Sequence, residues 1–108
     1  MKPLVLDCPW PVEVGQQFQV TRRFSDGRRF FPRSFVIDDA ANWCIHDLRI
    51  QHMSQLTRPD VSGDELWGAL KYVQYSGMRF GDEILMIVSR QRAGDQLFRC
   101  EIQGPCYD

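Results

Sequence analysis

A chain of 108 residues, 44% hydrophobic and 12% aromatic, has the length of one ordinary domain of roughly 50 to 250 residues and enough apolar material to fill a core. Its formal net charge of -1 excludes the generic attraction to nucleic acid that a strongly basic domain has, and no run approaches the roughly 18 apolar residues of a membrane-spanning helix. Cys8, Cys44, Cys100 and Cys106 are too few and too scattered for a disulfide framework, and no apolar leader precedes them. The expectation is a soluble chain made in the cytoplasm, with reduced thiols.

Residues 1–108 read as a single β domain. Its first eleven residues hold one short apolar run, Leu4, Val5 and Leu6, fenced by Pro3, Pro9 and Pro11. Proline cannot donate to a ladder, so residues 1–11 are expected as an extended arm or an edge strand. Val12, Val14, Phe18, Val20, Arg22 and Phe24 then follow a period of two, with Gly15 marking a bend or bulge.

Residues 22–33 are the most distinctive stretch. Arg22, Arg23, Arg28, Arg29 and Arg33 are interleaved with Phe24, Phe30 and Phe31, against the single acid Asp26. Eleven of the thirteen basic residues in the chain are arginine, whose planar guanidinium suits contact surfaces better than the lysine ammonium does. The dipeptide Asp26-Gly27 favours a two-residue hairpin turn; it would set Phe24 against Arg29, Arg23 against Phe30 and Arg22 against Phe31. These eight arginines and phenylalanines form the candidate partner-binding site, an Arg/Phe-rich hairpin that grips a protein or stacks on bases. The plain alternative is a solvated ribbon whose rings cover the core edge.

Residues 34–50 look like a second hairpin at the centre of a sheet. Residues 35–37 and 43–50 alternate as strands do, around the turn residues Asp38, Asp39 and Asn42. Residues 51–63 form a long loop, pinned to the sheet by Leu56 and Val61, and loops of that length tend to be functional or to cover something. From Asp64 onward a helical turn is expected, then a strand from about Leu70 through Tyr72 and Tyr75. Residues 84–88 are apolar on both faces and should be central and covered. Phe98, Cys100 and Ile102 share a face of the last strand, which Gly104 and Pro105 end.

Seven or eight short strands with little helix predict an all-β fold, a two-sheet antiparallel sandwich of jelly-roll-like type, with a small barrel as the alternative. Catalytic chemistry finds little support. Cys44 and His46 stand two apart, as metal ligands do, but on the parity of Leu48 and Ile50, where core residues would lie. A zinc tetrahedron with Cys100 and Cys106 lacks any close Cys-x-x-Cys pair. In a regular strand His46 and Asp47 point to opposite faces, which prevents a triad with Cys44. The acid pairs sit in turns, and no phosphate loop or dinucleotide glycine pattern is present.

The chain is therefore expected to be non-enzymatic, with no metal and no cofactor. Bulky aromatic groups exceed what one side of each sheet hides, which points to a structural subunit that assembles with copies of itself or with another structural protein, of the kind found in phage or viral capsid and decoration proteins. The alternative is a binding module that uses the Arg/Phe stretch on nucleic acid or an acidic protein.

Overall fold

The computed structural model describes residues 4–71 and 77–107, so the expected strand through Tyr72 and Tyr75 falls largely outside the described residues. Ten strand segments are described: β1 (Leu4–Asp7), β2 (Gln17–Arg23), β3 (Arg29–Phe30), β4 (Ser34–Ile37), β5 (Trp43–Ile50), β6 (Met53–Ser54), β7 (Val61–Ser62), β8 (Glu83–Arg90), β9 (Arg99–Gln103) and β10 (Cys106–Tyr107). Several are only two residues long, which is why the count exceeds the seven or eight expected. One sheet runs β1-β9-β4 and the other β2-β8-β5-β6, with β7 also on β5 and a small β10-β3 ribbon apart. All these pairings are antiparallel. The two main sheets make a sandwich, and no closed barrel is present among the described residues.

The chain crosses between the two main sheets from β1 to β2, from β4 to β5 and from β8 to β9, while β5 to β8 share one sheet. This is the interleaved order of a jelly roll, and it removes both expected hairpins. Within residues 34–50, β4 pairs with β9 while β5 pairs with β8 in the other sheet. The polar residues between them make a crossover instead. Asp39 takes a left-handed φ of 52° ahead of a single 3₁₀ turn, Ala40–Asn42. Asn42 is buried and its Oδ1 accepts the Arg92 N–H at 2.6 Å, tying the crossover to the far end of β8. Within residues 22–33, β2 pairs with β8 and β3 with β10, so Asp26-Gly27 closes no tight hairpin.

One hydrophobic cluster lies between the sheets. Leu4, Leu6, Ile37, Cys100 and Ile102 come from the first sheet, and Val20, Trp43, Ile45, Leu48, Ile84, Met86 and Val88 from the second. Each aliphatic side chain buried this way stabilises the fold by about 1.5 to 3 kcal/mol. Central β8 buries Ile84, Met86 and Val88 completely, and leaves Leu85 and Ile87 half-buried on the outer face rather than covered. At one end Trp43 meets Phe98 edge-on at 5.3 Å, with Phe18 against both.

Local signals that concern a single strand are realised. β1 is an edge strand on β9, Gly15 bends the chain at φ 80°, and Leu56 and Val61 are buried as expected, but residues 51–63 are not a plain loop, since β6 and β7 within them both pair with β5. Two 3₁₀ turns, Gly63–Glu65 and Trp67–Ala69, precede Leu70, which bridges Leu56. Arg90, at the end of β8, is 1% exposed. Its guanidinium lies 4.6 Å from the Trp43 ring centroid and donates to the carbonyls of Gly94, at 2.9 Å, and Gln96. A buried guanidinium is tolerated when an aromatic face and carbonyl acceptors replace water around it.

Candidate functional site

The arginine-rich stretch divides between core and surface. Phe24 and Phe30 are buried and stacked at 5.6 Å, so they hold the sandwich together and do not belong to the expected partner-binding surface. The reason lies in strand placement. Phe30 exchanges backbone hydrogen bonds with Met78, and Phe24 N–H donates to Asp82 O, which pulls both rings inward. Arg22 and Arg23 are exposed on β2, the latter 3.7 Å from Glu83. Asp26 folds the intervening loop by accepting from the Arg28 N–H at 2.9 Å and from its guanidinium at 3.0 and 3.2 Å. Those bonds hold the Asp26 carboxyl below its ordinary pKa.

What reaches the surface is a cleft of about 570 Å³ lined by Gly27, Arg28, Arg29, Phe31, Arg79 and Tyr107. β10 sets Tyr107 opposite Arg29, and Phe31 packs on Tyr107 at 5.7 Å. The guanidinium carbons of Arg29 and Arg33 stand 6.0 and 5.8 Å from the Phe31 ring, so Phe31 is the aromatic partner of both. None of the three expected cross-strand ring contacts forms in their place. Gly104, just after β9, lies against the backbone of Phe31: a Cβ there would collide with the Phe31 carbonyl oxygen, so only glycine lets the chain run this closely past residues 31–33. Arg79 comes from outside the expected stretch, on a turn closed by its own N–H to the Asp82 carboxylate at 2.9 Å. The arrangement suits anionic or carboxylate-bearing groups that also present a flat apolar face.

A second constellation occupies the outer face of β5. The register against β8 shifts between Ile45 and Asp47, a β-bulge at His46. Before the bulge Trp43 and Ile45 face the core; after it Leu48 and Ile50 do, so the parity of the strand is reversed. Cys44 and His46 therefore face outward, not inward beside Leu48 and Ile50. The His46 Nε2 lies 2.7 Å from Ser89 Oγ on β8, and its Nδ1 lies 2.5 Å from Asp60 Oδ1 and 3.8 Å from Cys44 Sγ. A carboxylate can only accept, so Nδ1–H donates to Asp60, and in the neutral ring Nε2 accepts from the Ser89 hydroxyl. Burial, and then the charge of Asp60, push the Cys44 thiol above its ordinary pKa.

Asp47 points elsewhere. It accepts from Ser54 Oγ at 2.7 Å, Arg49 Nε at 2.7 Å and Leu48 N–H at 2.9 Å. Burial alone would raise its carboxyl, but these bonds outweigh burial and hold it low. Asp60, Asp47 and their neighbours open onto two clefts of about 370 and 330 Å³ on either side of the Asp60 loop. Ser89 is 5% exposed and lines neither. Although Asp60, His46 and Ser89 are connected in the order of a hydrolytic triad, the hydroxyl is not presented to a substrate-sized space.

The chain matches no protein-family model, no curated protein and no solved structure. The zinc tetrahedron of Cys44, His46, Cys100 and Cys106, which the sequence disfavours, is not assembled: Cys100 is buried on β9 in the opposite sheet, where burial pushes its thiol up to about 12. Asp60 was missed by sequence reasoning, since it lies 14 residues from His46 and reaches it only through the pairing of Ile45 with Val61. A signal for the bulge existed, however: the apolar positions 43, 45, 48 and 50 change parity across the adjacent polar pair His46 and Asp47.

Proposed function

We propose that this chain is a non-enzymatic structural subunit that assembles with copies of itself. The observation that carries the reading is a filled core with large apolar side chains left outside it. Trp10 is 60% exposed, Met53 61%, Tyr107 56% and Phe80 70%. Rings of this size in water are where neighbouring copies gain most by burying surface, and aromatic and arginine side chains are enriched at such contacts. Trp10 stands between Pro9 and Pro11 on the segment after edge strand β1, well placed to reach a neighbour. A sandwich of this kind, made in the cytoplasm and carried in a particle, fits a phage or viral capsid or decoration protein; that setting rests on architecture alone. Among the described residues no helix is long and apolar enough to cross a membrane.

Multi-angle light scattering with negative-stain microscopy across a range of concentrations tests the reading. Defined oligomers or shells are expected. A strict monomer at the highest concentration overturns it.

The cleft of Arg28, Arg29 and Arg79 with Phe31 and Tyr107 favours a second reading, a module that binds an acidic protein or single-stranded nucleic acid. Salt separates the two. Phosphate contacts weaken steeply as ionic strength rises, whereas apolar assembly contacts do not.

A further inference from the structure

Three ligand types, a soft thiolate, a borderline imidazole and a hard carboxylate, converge outside the core. Cys44 Sγ, His46 Nδ1 and an Asp60 carboxylate oxygen all lie within 4.8 Å of one another. We propose that Cys44, His46 and Asp60 bind a divalent transition-metal ion of zinc type, leaving a fourth position open to the solvent-filled cleft.

Distances support a tetrahedral ion. Metal–sulfur and metal–nitrogen bonds of about 2.3 and 2.0 Å place the two donor atoms about 3.5 Å apart. Cys44 Sγ and His46 Nδ1 are 3.8 Å apart, so both can ligate with side-chain adjustment alone. Asp60 Oδ1, at 2.5 Å from Nδ1, must retreat to about 3.3 Å for two bonds of about 2.0 Å. Its side chain is 63% exposed and free to do so.

The backbone aims the set. The bulge turns His46 outward beside Cys44, while the pairing of Ile45 with Val61 brings Asp60 alongside His46. Asp60 holds a left-handed φ of 60° at this point. The other ring nitrogen is already held. Once Nδ1 ligates, the imidazole proton resides on Nε2 and is donated to Ser89 Oγ, 2.7 Å away on a buried serine. Such a bond to the second nitrogen is the usual way a ligating histidine is oriented. Thiolate and imidazole select zinc or cobalt(II) over magnesium or calcium. Cys44 and Asp60 line the cleft of about 370 Å³ with Ser62, which leaves room for a water or an external ligand on the ion.

The test uses full-length protein stripped with chelator and titrated with cobalt(II) alone. Saturable binding is expected, with visible bands of a four-coordinate ion and a thiolate-to-cobalt charge-transfer band in the near ultraviolet, both abolished by an equivalent of zinc. Cys44→Ser should remove the charge-transfer band. His46→Ala should weaken binding at least tenfold, and Ser89→Ala, which keeps all three ligands, about 10- to 100-fold. Asp60→Asn changes an exposed side chain, so its loss of affinity can be read even if the strand variants fail to fold. Absence of saturable binding in the wild type overturns the proposal, as does a charge-transfer band that survives Cys44→Ser or affinity unchanged in Asp60→Asn.

Discussion

The arginine stretch and the outer face of β5 are organised in opposite ways. Between Phe24 and Arg33 three arginines are held locally, Arg28 by Asp26 and Arg29 and Arg33 by Phe31, and distant segments only complete the cleft with Arg79 and Tyr107. On β5, His46 is held by Asp60, 14 residues away, and by Ser89, 43 residues away. A surface built from neighbours in sequence announces itself through composition. One built across strands depends on register, and here a single bulged residue determines whether it exists at all.

Substitutions break this comparison at different points. The largest effect should come from Phe30→Ala, which empties a fully buried site and should cost about 3 to 5 kcal/mol in denaturant unfolding. Phe31→Ala, on the cleft, should cost far less. Gly104→Ala forces a methyl group against the Phe31 carbonyl and should cost about 1 to 3 kcal/mol while disordering the cleft. On the other surface His46→Ala leaves the buried Ser89 hydroxyl without its partner, worth about 1 to 2 kcal/mol. Asp60→Ala, at an exposed pair, should lie within about 1 kcal/mol.

Acid sharpens the contrast further. Asp26 and Asp47 both have lowered pKa values. Their contributions are therefore in force above the unfolded aspartate value of about 3.9 and fade as the pH falls through the lowered values. Unfolding midpoints should drop on acidification below about pH 4, and Asp47→Asn should flatten part of that slope. A small change in stability, within about 1 kcal/mol, is expected for the double variant Arg29→Ala, Arg79→Ala, which removes the half-buried Arg29 contact with the Phe31 ring and one exposed arginine. Particle formation or anion affinity should nonetheless fall in that variant. Unchanged assembly and binding would remove the cleft from both functional readings.

Sequence reading succeeded where one strand carried the whole signal. The central place of β8, the alternating Phe98, Cys100 and Ile102, the bend at Gly15 and the buried Leu56 and Val61 behave as their side chains dictate, although the outer face of β8 is only half-covered. Pairing was less legible. Asp26-Gly27 and the polar residues 38–42 do turn the chain, but turn chemistry does not state which sheet the next strand joins, and a jelly-roll-like order sends it across the core. The candidate site was half visible for the same reason. Arg28, Arg29 and Phe31 of the cleft stand in the stretch that composition singles out, whereas Arg79, Tyr107 and Asp60 arrive through contacts between distant segments.

Arg90 sits under the seven exposed residues 91–97, gripping the carbonyls of Gly94 and Gln96 from below. Because that grip uses only main-chain oxygens of the excursion, the outward side chains there are free to vary. A foreign epitope grafted onto those side chains would be carried on a braced platform, which makes this the natural place to decorate the molecule without touching its interior.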